Sequence, residues 1–375
     1  MKSGIALNIV QIIPALDAGG AERTVVDITA AVVEAGGAAL IITTGGRLER
    51  EVIAAGGQIA HLPVASKNPV VMGRNIGRIV HLAQAFDAQL IHARSRAPAW
   101  STYYVAKQVG LPFVTTYHGT YNARSALKRA YNAIMAKGDG VIANSQFIAR
   151  HIVAEHGLEA RKITVIPRGV DPVFFGVAEK VKVPGKAPVI MLPGRLTRWK
   201  GQFLAIEALS RLHRENGKAI LVLAGDAQGR HSYVEALQAQ VKAAGLGPYV
   251  RFSGHIENMT EQYETADIVL SASTEPEAFG RVTVEAQASA RLAIAPAHGG
   301  ALETLIDGKT GFHFIPGDVA DLARVLQKAT RLAMPDYQQM CQRARNHAHE
   351  HYSQGQMCAK TLGVYRELLK PCKGH

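Results

Sequence analysis

Residues 189–224, VIMLPGRLTRWKGQFLAIEALSRLHRENGKAILVLA, decide the fold. The uninterrupted apolar run at 189–192 predicts a buried strand. Amphipathic spacing over 201–216 predicts a helix, and the apolar run at 219–224 predicts a second strand. A strand, a helix and a strand in this order predict two parallel strands joined by a covering helix.

The same alternation extends through most of the chain in both directions. Because strands that alternate with helices form parallel sheets covered on both faces, the whole chain is predicted to be α/β. The further predicted strands lie at 6–13, 39–43, 59–63, 90–92, 113–117, 140–143, 250–252, 268–271 and 292–295, and the further predicted helices at 21–34, 231–244, 279–291 and from about residue 319 onward.

A stretch without clear periodicity interrupts this pattern at 167–188, PRGVDPVFFGVAEKVKVPGKAP. Proline and glycine recur through it, as is typical of a domain boundary. We therefore predict two Rossmann-like domains, each with a doubly wound parallel sheet, facing a central cleft. The N-terminal domain is predicted at 1–170 and the C-terminal domain at 171–350, with a helix in 351–375 that packs back towards the N-terminal domain.

Charge is distributed unevenly. The chain has 42 Lys and Arg against 30 Asp and Glu, a net charge of +12, and residues 89–137 contain no acidic residue. A positive field of this kind favours an anionic partner, such as nucleic acid, acidic lipid or a phosphorylated acceptor. The alternative is that these cations only cover solvated helix faces.

The compartment is indicated by the cysteines and the apolar runs. Cys341, Cys358 and Cys372 lack metal-ligand spacing, and an odd number in a chain of 375 residues is typical of reduced cytoplasmic thiols. No apolar run reaches the roughly 18 residues that a transmembrane helix needs. We therefore expect a cytoplasmic protein.

The first candidate site follows the strand at 189–192, in the segment GRLTRWKG at 194–201. Arg195 at the strand end and Lys200 at a helix start can both reach a pair of phosphates, Arg195 as a fork and Lys200 as a point charge. A basic turn that contacts only solvent is the alternative.

The second candidate is a pair of carboxylates, Glu277 and Glu285, in EAFGRVTVE. Phe279 and Gly280 are predicted to open a helix, so that their free amides point into the cleft. Glu277 then lies in the preceding loop and Glu285 about one and a half turns into the helix, and both could accept hydrogen bonds from hydroxyls. The alternative is an acid that complements the helix dipole beside a solvated glutamate.

These motifs occur in a fixed order with three others, namely a Gly19-Gly20 loop after the first strand, Tyr117-His118-Gly119 after a strand in the middle of the domain, and HGGALE at 298–303. The ordered set resembles glycosyltransferase family 4, whose members have the GT-B fold. The resemblance covers essentially all of residues 6–330, and Arg168 to Asp171 also match the family's inter-domain segment.

The resemblance implies roles for individual residues. Arg195 and Lys200 would clamp the diphosphate of a nucleotide-sugar donor. Glu277 would contact the donor sugar and Glu285 the ribose. The other implied positions are Phe279 and Gly280 as backbone donors, Gly19 and Gly20 as a loop over the phosphates, and His118 near the anomeric carbon.

The resemblance also implies a transfer with retained anomeric configuration. No metal and no cofactor is expected, because fixed cations and amides can stabilise the leaving diphosphate and the sequence contains no Asp-x-Asp pair. The acceptor is expected to be an anionic glycolipid or glycan of the bacterial envelope, such as lipopolysaccharide core, approached at the inner membrane surface. The cations expected to meet it are Arg94, Arg96, Arg124, Lys128 and Arg129.

Two other functions fit parts of the sequence. A nucleotide-sugar epimerase shares the fold, but it would consume donor without an acceptor. A non-catalytic protein that binds anions or nucleic acid would use the acid-free basic stretch, which lacks a recognisable RNA-binding motif. Binding of nucleic acid is therefore not expected.

Overall fold

The computed structural model describes residues 6–17, 19–121, 123, 125–179, 187–256 and 258–370. These residues form two compact units. The N-terminal unit contains the described residues up to Gly169 and those from Gln354 onward, and the C-terminal unit contains those from Val170 to Ser353. The chain thus passes from the N-terminal unit to the C-terminal unit after Gly169 and returns to the N-terminal unit after Ser353.

Thirteen strands and fourteen α-helices are found in the described residues. The strands are β1 Asn8–Ile12, β2 Ala38–Thr43, β3 Gln58–His61, β4 Leu90–Ala93, β5 Phe113–Tyr117, β6 Gly140–Ala143, β7 Ile163–Val165, β8 Val189–Pro193, β9 Ile220–Ala224, β10 Val250–Phe252, β11 Ile268–Leu270, β12 Leu292–Pro296 and β13 Gly311–Phe314. The helices are α1 Gly20–Glu34, α2 Glu49–Ala54, α3 Pro69–Ala85, α4 Arg96–Val109, α5 Ala126–Asn132, α6 Gln146–His156, α7 Gln202–Arg214, α8 His231–Ala243, α9 Met259–Thr265, α10 Arg281–Ala288, α11 Ala301–Thr304, α12 Val319–Thr330, α13 Met334–Tyr352 and α14 Gln354–Leu368.

Each unit is built on one parallel sheet. The N-terminal sheet has the order β3-β2-β1-β4-β5-β6-β7, and the C-terminal sheet has the order β10-β9-β8-β11-β12-β13. All strand pairs in both sheets are parallel. The predicted fold class, two Rossmann-like parallel-sheet units, is confirmed.

The strand order reverses at one position in each sheet. In the N-terminal unit β1 lies between β2 and β4, and in the C-terminal unit β8 lies between β9 and β11. In open α/β sheets, ligands bind outside the carboxyl ends of the strands at such a switch point. The loops that follow β1, β4, β8 and β11 are therefore the places to look for functional side chains.

Buried polar contacts join α14 to the sheet of the N-terminal unit. His92 on β4 is fully buried, with Nδ1 2.6 Å from the Tyr365 hydroxyl and Nε2 2.8 Å from the Thr116 hydroxyl. Burial lowers the pKa of His92 well below its ordinary value, and the charge of Arg94 lowers it further. The neutral ring thus satisfies both nitrogens inside the unit, and one of the two bonds comes from α14.

Tyr365→Phe should destabilise the N-terminal unit by about 1–3 kcal/mol, because it leaves Nδ1 of the buried His92 without a partner. Urea unfolding followed by circular dichroism measures the change. Tyr104→Phe is the matched control, because Tyr104 is 50% exposed. Equal midpoints for Tyr365→Phe and the unmodified protein would show that the buried bond contributes nothing.

Candidate active site

The loop after β8 carries the first predicted cation pair. It contains a single 3-10 turn, Arg198–Lys200, and Gly201 then leads into α7. Gly201 has φ +73°, and a Cβ atom there would lie 1.9 Å from the carbonyl oxygen of Ala272. Only glycine fits this position, and it brings the turn that carries Lys200 against the chain just after β11.

Lys200 and Glu277 form an ion pair across this contact. The ammonium Nζ donates to Glu277 Oε1 at 2.6 Å, and the side chains are 15% and 16% exposed. The Ser273 hydroxyl donates to the same carboxylate oxygen. The indole of Trp199 lies under the ammonium, with its ring centre 4.4 Å from Nζ. The structure thus brings two predicted site residues together and adds Ser273 and Trp199 to them.

Arg195 is placed differently from Lys200. Its backbone is fixed, because its carbonyl accepts a hydrogen bond of 3.1 Å from Gln202 Nε2, and Gln202 in turn accepts one of 2.9 Å from the Tyr233 hydroxyl. Its side chain is exposed. In the described part of the chain the Arg195 guanidinium makes no hydrogen bond or ion pair, so it is available to a ligand near Lys200.

The segment from Glu277 to Phe279 is held by the glycine pair after β12. The carbonyl of Glu277 accepts a hydrogen bond of 2.8 Å from Gly300. A Cβ atom on Gly299, which has φ +59°, would lie 2.6 Å from that carbonyl, and one on Gly300 would lie 2.5 Å from Cα of Phe279. Close contact between the two backbones therefore fixes the loop in front of α10.

Glu285 lies in the second turn of α10 and is 8% exposed. Its Oε1 accepts a hydrogen bond of 2.5 Å from Arg281 Nε, and its Oε2 accepts one of 3.0 Å from the Tyr263 hydroxyl. The helix begins at Arg281, two residues after its predicted start at Phe279, with Gly280 as N-cap at φ +83°. The order of the motif is as expected, with Glu277 in the loop and Glu285 within the helix.

In the N-terminal unit, Gly19 and Gly20 stand at the start of α1. Gly20 is its first residue and Gly19 its N-cap, in an extended conformation with φ 167° that any residue can adopt. Gly19 is exposed. The predicted loop is therefore at the carboxyl edge of β1, and its glycines are not required by backbone strain.

His118 follows β5 and is linked to Arg168. Its Nδ1 lies 3.1 Å from the Arg168 guanidinium. Its buried Nε2 has no hydrogen-bond partner among the described residues. Burial lowers the pKa of His118 well below its ordinary value, and the charge of Arg168 lowers it further, so the ring is neutral at pH 7. A neutral imidazole with a free nitrogen can form a hydrogen bond with a sugar hydroxyl.

Arg94, one of the cations expected to meet the acceptor, lies in the interior of the N-terminal unit. Arg94 is 2% exposed, and its Nε and terminal nitrogen donate to Gln11 Oε1 at 3.1 and 2.5 Å. Gln11 lies on β1, the neighbour of β4, so the sheet order buries a cation that the sequence alone leaves unplaced. Arg94 organises the interior of the unit and is not placed to meet an acceptor.

The remaining predicted acceptor cations fall into three groups. Arg96 is half-buried, lies 4.3 Å from the centre of the Tyr121 ring and donates to Asn132 Oδ1 at 3.0 Å. Lys128 and Arg129 are exposed on α5. Arg124 lies outside the described residues.

Sequence reasoning missed four residues of the site. No motif in the sequence marks Ser273 or Tyr263. Their hydrogen bonds to Glu277 and Glu285 depend on how the chain folds. Trp199 lies within the quoted segment GRLTRWKG at 194–201, but the spacing gave it no role. Arg168 was recognised only as part of the inter-domain segment and not as the neighbour of His118.

Two family descriptions match the chain. Residues 18–174 match Glycosyltransferase Family 4, and residues 177–347 match Glycosyl transferases group 1. A solved glycosyltransferase from Rickettsia africae is 33% identical, with a TM-score of 0.89 over 96% of this chain and 98% of that one. The structure of Anabaena HepE in complex with UDP and glucose is 23% identical, with a TM-score of 0.80 over 96% of this chain and 99% of that one, which is a likeness of fold.

Among curated proteins, D-inositol 3-phosphate glycosyltransferase from Kineococcus radiotolerans is 26% identical over 267 residues, which are 60% of this chain. The chain spans only 45–61% of the length of the first curated relatives it matches.

Gly201→Ala should destabilise the C-terminal unit by more than about 2 kcal/mol, because a left-handed φ alone costs an alanine 1–2 kcal/mol and the carbonyl of Ala272 must also move. Thermal and urea unfolding measure the change. Gly247→Ala is the control, because no atom lies within 4 Å of a Cβ atom there and φ is not left-handed. If the two variants were equally stable, the close contact at Gly201 would not constrain the loop.

Proposed function

This chain belongs to the glycosyltransferases, with a family 4 domain followed by a group 1 domain, and we propose that it moves a sugar from a nucleotide-diphosphate donor to an acceptor with retained anomeric configuration. The observation that carries the proposal is the 2.6 Å ion pair of Lys200 and Glu277. The pair supports the proposal because its ammonium could bind a diphosphate and its carboxylate could accept hydrogen bonds from sugar hydroxyls, and both follow strands at the switch point of the C-terminal sheet.

The donor would bind through an exchange of partners. Lys200 turns from Glu277 to the diphosphate, and the exposed Arg195 adds a forked cation. Glu277 is then free to accept a hydrogen bond from a hydroxyl of the donor sugar. The amides of Phe279 and Gly280, at the start of α10, supply further donors to its oxygens. Glu285 accepts hydrogen bonds from the ribose.

The reaction would proceed on one face of the donor sugar. The acceptor oxygen bonds to the anomeric carbon on the side from which the diphosphate departs. The bond from that carbon to the diphosphate oxygen breaks, its electron pair stays on the diphosphate, and this oxygen takes the proton of the acceptor hydroxyl. Arg195 and Lys200 stabilise the developing negative charge, so we propose turnover without a divalent metal. Neutral His118 holds a sugar hydroxyl.

The donor would carry UDP or GDP. Support for a uridine donor comes from the fold likeness to HepE, whose solved complex contains UDP and glucose. The contacts of Lys200, Glu277 and Glu285 involve parts that both donors share, namely the diphosphate, the sugar and the ribose. A transfer assay with both classes of donor therefore decides between them.

The acceptor would be an anionic glycolipid or glycan, such as lipopolysaccharide core, met at the cytoplasmic face of the membrane. Support comes from α5, where Leu127 is 86% exposed beside the exposed Lys128 and Arg129. Each cation near anionic lipid contributes about 1 kcal/mol to membrane binding. The Kineococcus relative, whose name includes D-inositol 3-phosphate, also favours an anionic acceptor. In the described part of the chain no helix has the length and apolar character to cross a membrane.

Lys200→Ala should lower kcat by about 10²–10³-fold, because a fixed positive charge is lost where the diphosphate departs. The variant should still fold, with a lower melting temperature, because Glu277 is only 16% exposed and keeps the Ser273 hydroxyl but loses its cation. Lys242→Ala, which removes an exposed lysine on α8, is the control and should keep full activity. Activity of Lys200→Ala within a few-fold of the unmodified protein would remove Lys200 from the clamp.

Transfer from α-linked UDP- or GDP-sugars in buffer with EDTA should give an α-linked product, which NMR coupling constants identify. The configuration should be retained because the acceptor attacks on the face from which the diphosphate departs. Turnover should need no metal because Arg195 and Lys200 stabilise the leaving diphosphate. Inversion, or loss of turnover that magnesium restores, would contradict the mechanism.

The same assay also tests acceptor and reaction class. Phosphorylated acceptors should react faster than their neutral forms, and equal rates would contradict an anionic acceptor. Consumption of donor without any acceptor, with isomerised donor as product, would instead indicate an epimerase.

A further inference from the structure

Glu285 is a nearly buried carboxylate with one protein donor on each oxygen. Arg281 Nε donates to Oε1 at 2.5 Å, and the Tyr263 hydroxyl donates to Oε2 at 3.0 Å. A carboxylate has about four acceptor positions on its two oxygens, so each oxygen keeps capacity for another donor. The two bonds fix the plane of the carboxylate and leave it able to accept from two neighbouring hydroxyls, such as those of a ribose.

Tyr263 is a rigid member of this arrangement. It is fully buried on α9, its ring lies edge-on to Phe174 with centres 5.3 Å apart, and its carbonyl accepts a hydrogen bond of 2.7 Å from Arg291. Burial raises its pKa well above the ordinary value, so the hydroxyl stays protonated and donates to Glu285. The position of Oε2 is thus set by a side chain from a different helix.

Arg281 supplies the charge and the second point of attachment. It is the first residue of α10, four residues before Glu285, and its side chain is 48% exposed. Because Arg281 is half-exposed, its ion pair adds little to the stability of the unit. Its main effect is therefore to fix the orientation of the Glu285 carboxylate. A contact to phosphate and an exposed side chain without a partner in the site are two alternatives for Arg281. The contact of 2.5 Å favours a third role, acting through Glu285.

We propose that Arg281 and Tyr263 are positioning residues that orient the Glu285 carboxylate to accept hydrogen bonds from the ribose hydroxyls of the donor nucleotide. The proposal rests on the proposed function and goes beyond it, because it assigns two residues to recognition of the ribose. It follows that replacing Arg281 should weaken the contribution of the ribose hydroxyls to donor affinity and leave the contribution of the phosphates unchanged.

The test is a cycle between protein variants and nucleotide analogues. Isothermal titration calorimetry gives the affinities of UDP, GDP and their 2′-deoxy and 3′-deoxy forms for the unmodified chain and for Arg281→Leu. The unmodified chain should bind the ribonucleotide at least about tenfold more tightly than a deoxy form, because the deoxy form lacks a hydroxyl for one of the remaining acceptor positions of the Glu285 carboxylate. In Arg281→Leu this ratio should fall to within about threefold, while affinity for the deoxy form stays unchanged.

Two variants complete the design. Arg324→Leu is the matched control, since it breaks an exposed ion pair of 2.6 Å with Asp321 on α12 of the same unit, and it should keep the full ratio. Tyr263→Phe removes only the hydroxyl and should lower the ratio as Arg281→Leu does. If Tyr263→Phe fails to fold, Arg281→Leu still tests the proposal, because Arg281 is half-exposed and its replacement should not prevent folding.

Each other outcome overturns the inference in a recognisable way. Equal weakening of ribo and deoxy forms by Arg281→Leu would make Arg281 a phosphate contact. An unchanged ratio in Arg281→Leu would make it a surface residue without a role at Glu285. Failure of the unmodified chain to bind UDP or GDP would overturn the proposed function and this inference with it.

Discussion

Close contact between backbones at glycines is the constraint on which the C-terminal unit depends. A Cβ atom on Gly201 would lie 1.9 Å from the carbonyl of Ala272, one on Gly225 would lie 2.1 Å from the carbonyl of Gly194, and one on Gly300 would lie 2.5 Å from Cα of Phe279. These contacts draw together loops that follow β8, β9, β11 and β12. The carboxyl edge of the sheet thereby becomes a surface of fixed backbone on which side chains from different loops can meet.

Two pairs of opposite charges lie on this surface. Lys200 meets Glu277, and Arg281 meets Glu285, each through one hydrogen-bonded contact. A partly buried charge needs a partner, so both pairs satisfy themselves within the unit. A donor that brings both negative charge and hydroxyl groups fits both pairs. Its phosphates can replace Glu277 as the partner of Lys200, and its hydroxyls can bond to Glu277 and to the acceptor positions that Glu285 keeps beside Arg281. This complementarity suits a nucleotide sugar better than it suits a bare anion.

The N-terminal unit uses its polar residues differently. Arg94 and His92 are buried at the carboxyl end of β4, where they bond Gln11, Tyr365 and Thr116. His118, one strand further along, keeps a neutral ring with a free Nε2 among the described contacts. The contrast separates polar groups that are paired within the unit from a ring nitrogen that has no partner among the described residues.

The sequence by itself determined the α/β class, the two parallel-sheet units and the family, because apolar periodicity reports which residues face a core and because the motifs occur in a fixed order. It also placed Glu277 in a loop and Glu285 within a helix. Only the tertiary structure decided that Arg94 is buried against Gln11, 83 positions away, and that Tyr263 donates to Glu285 from another helix. Periodicity shows which face of an element is apolar, but the partner of a buried polar group depends on which strands and helices become neighbours, and that order is set by the fold as a whole.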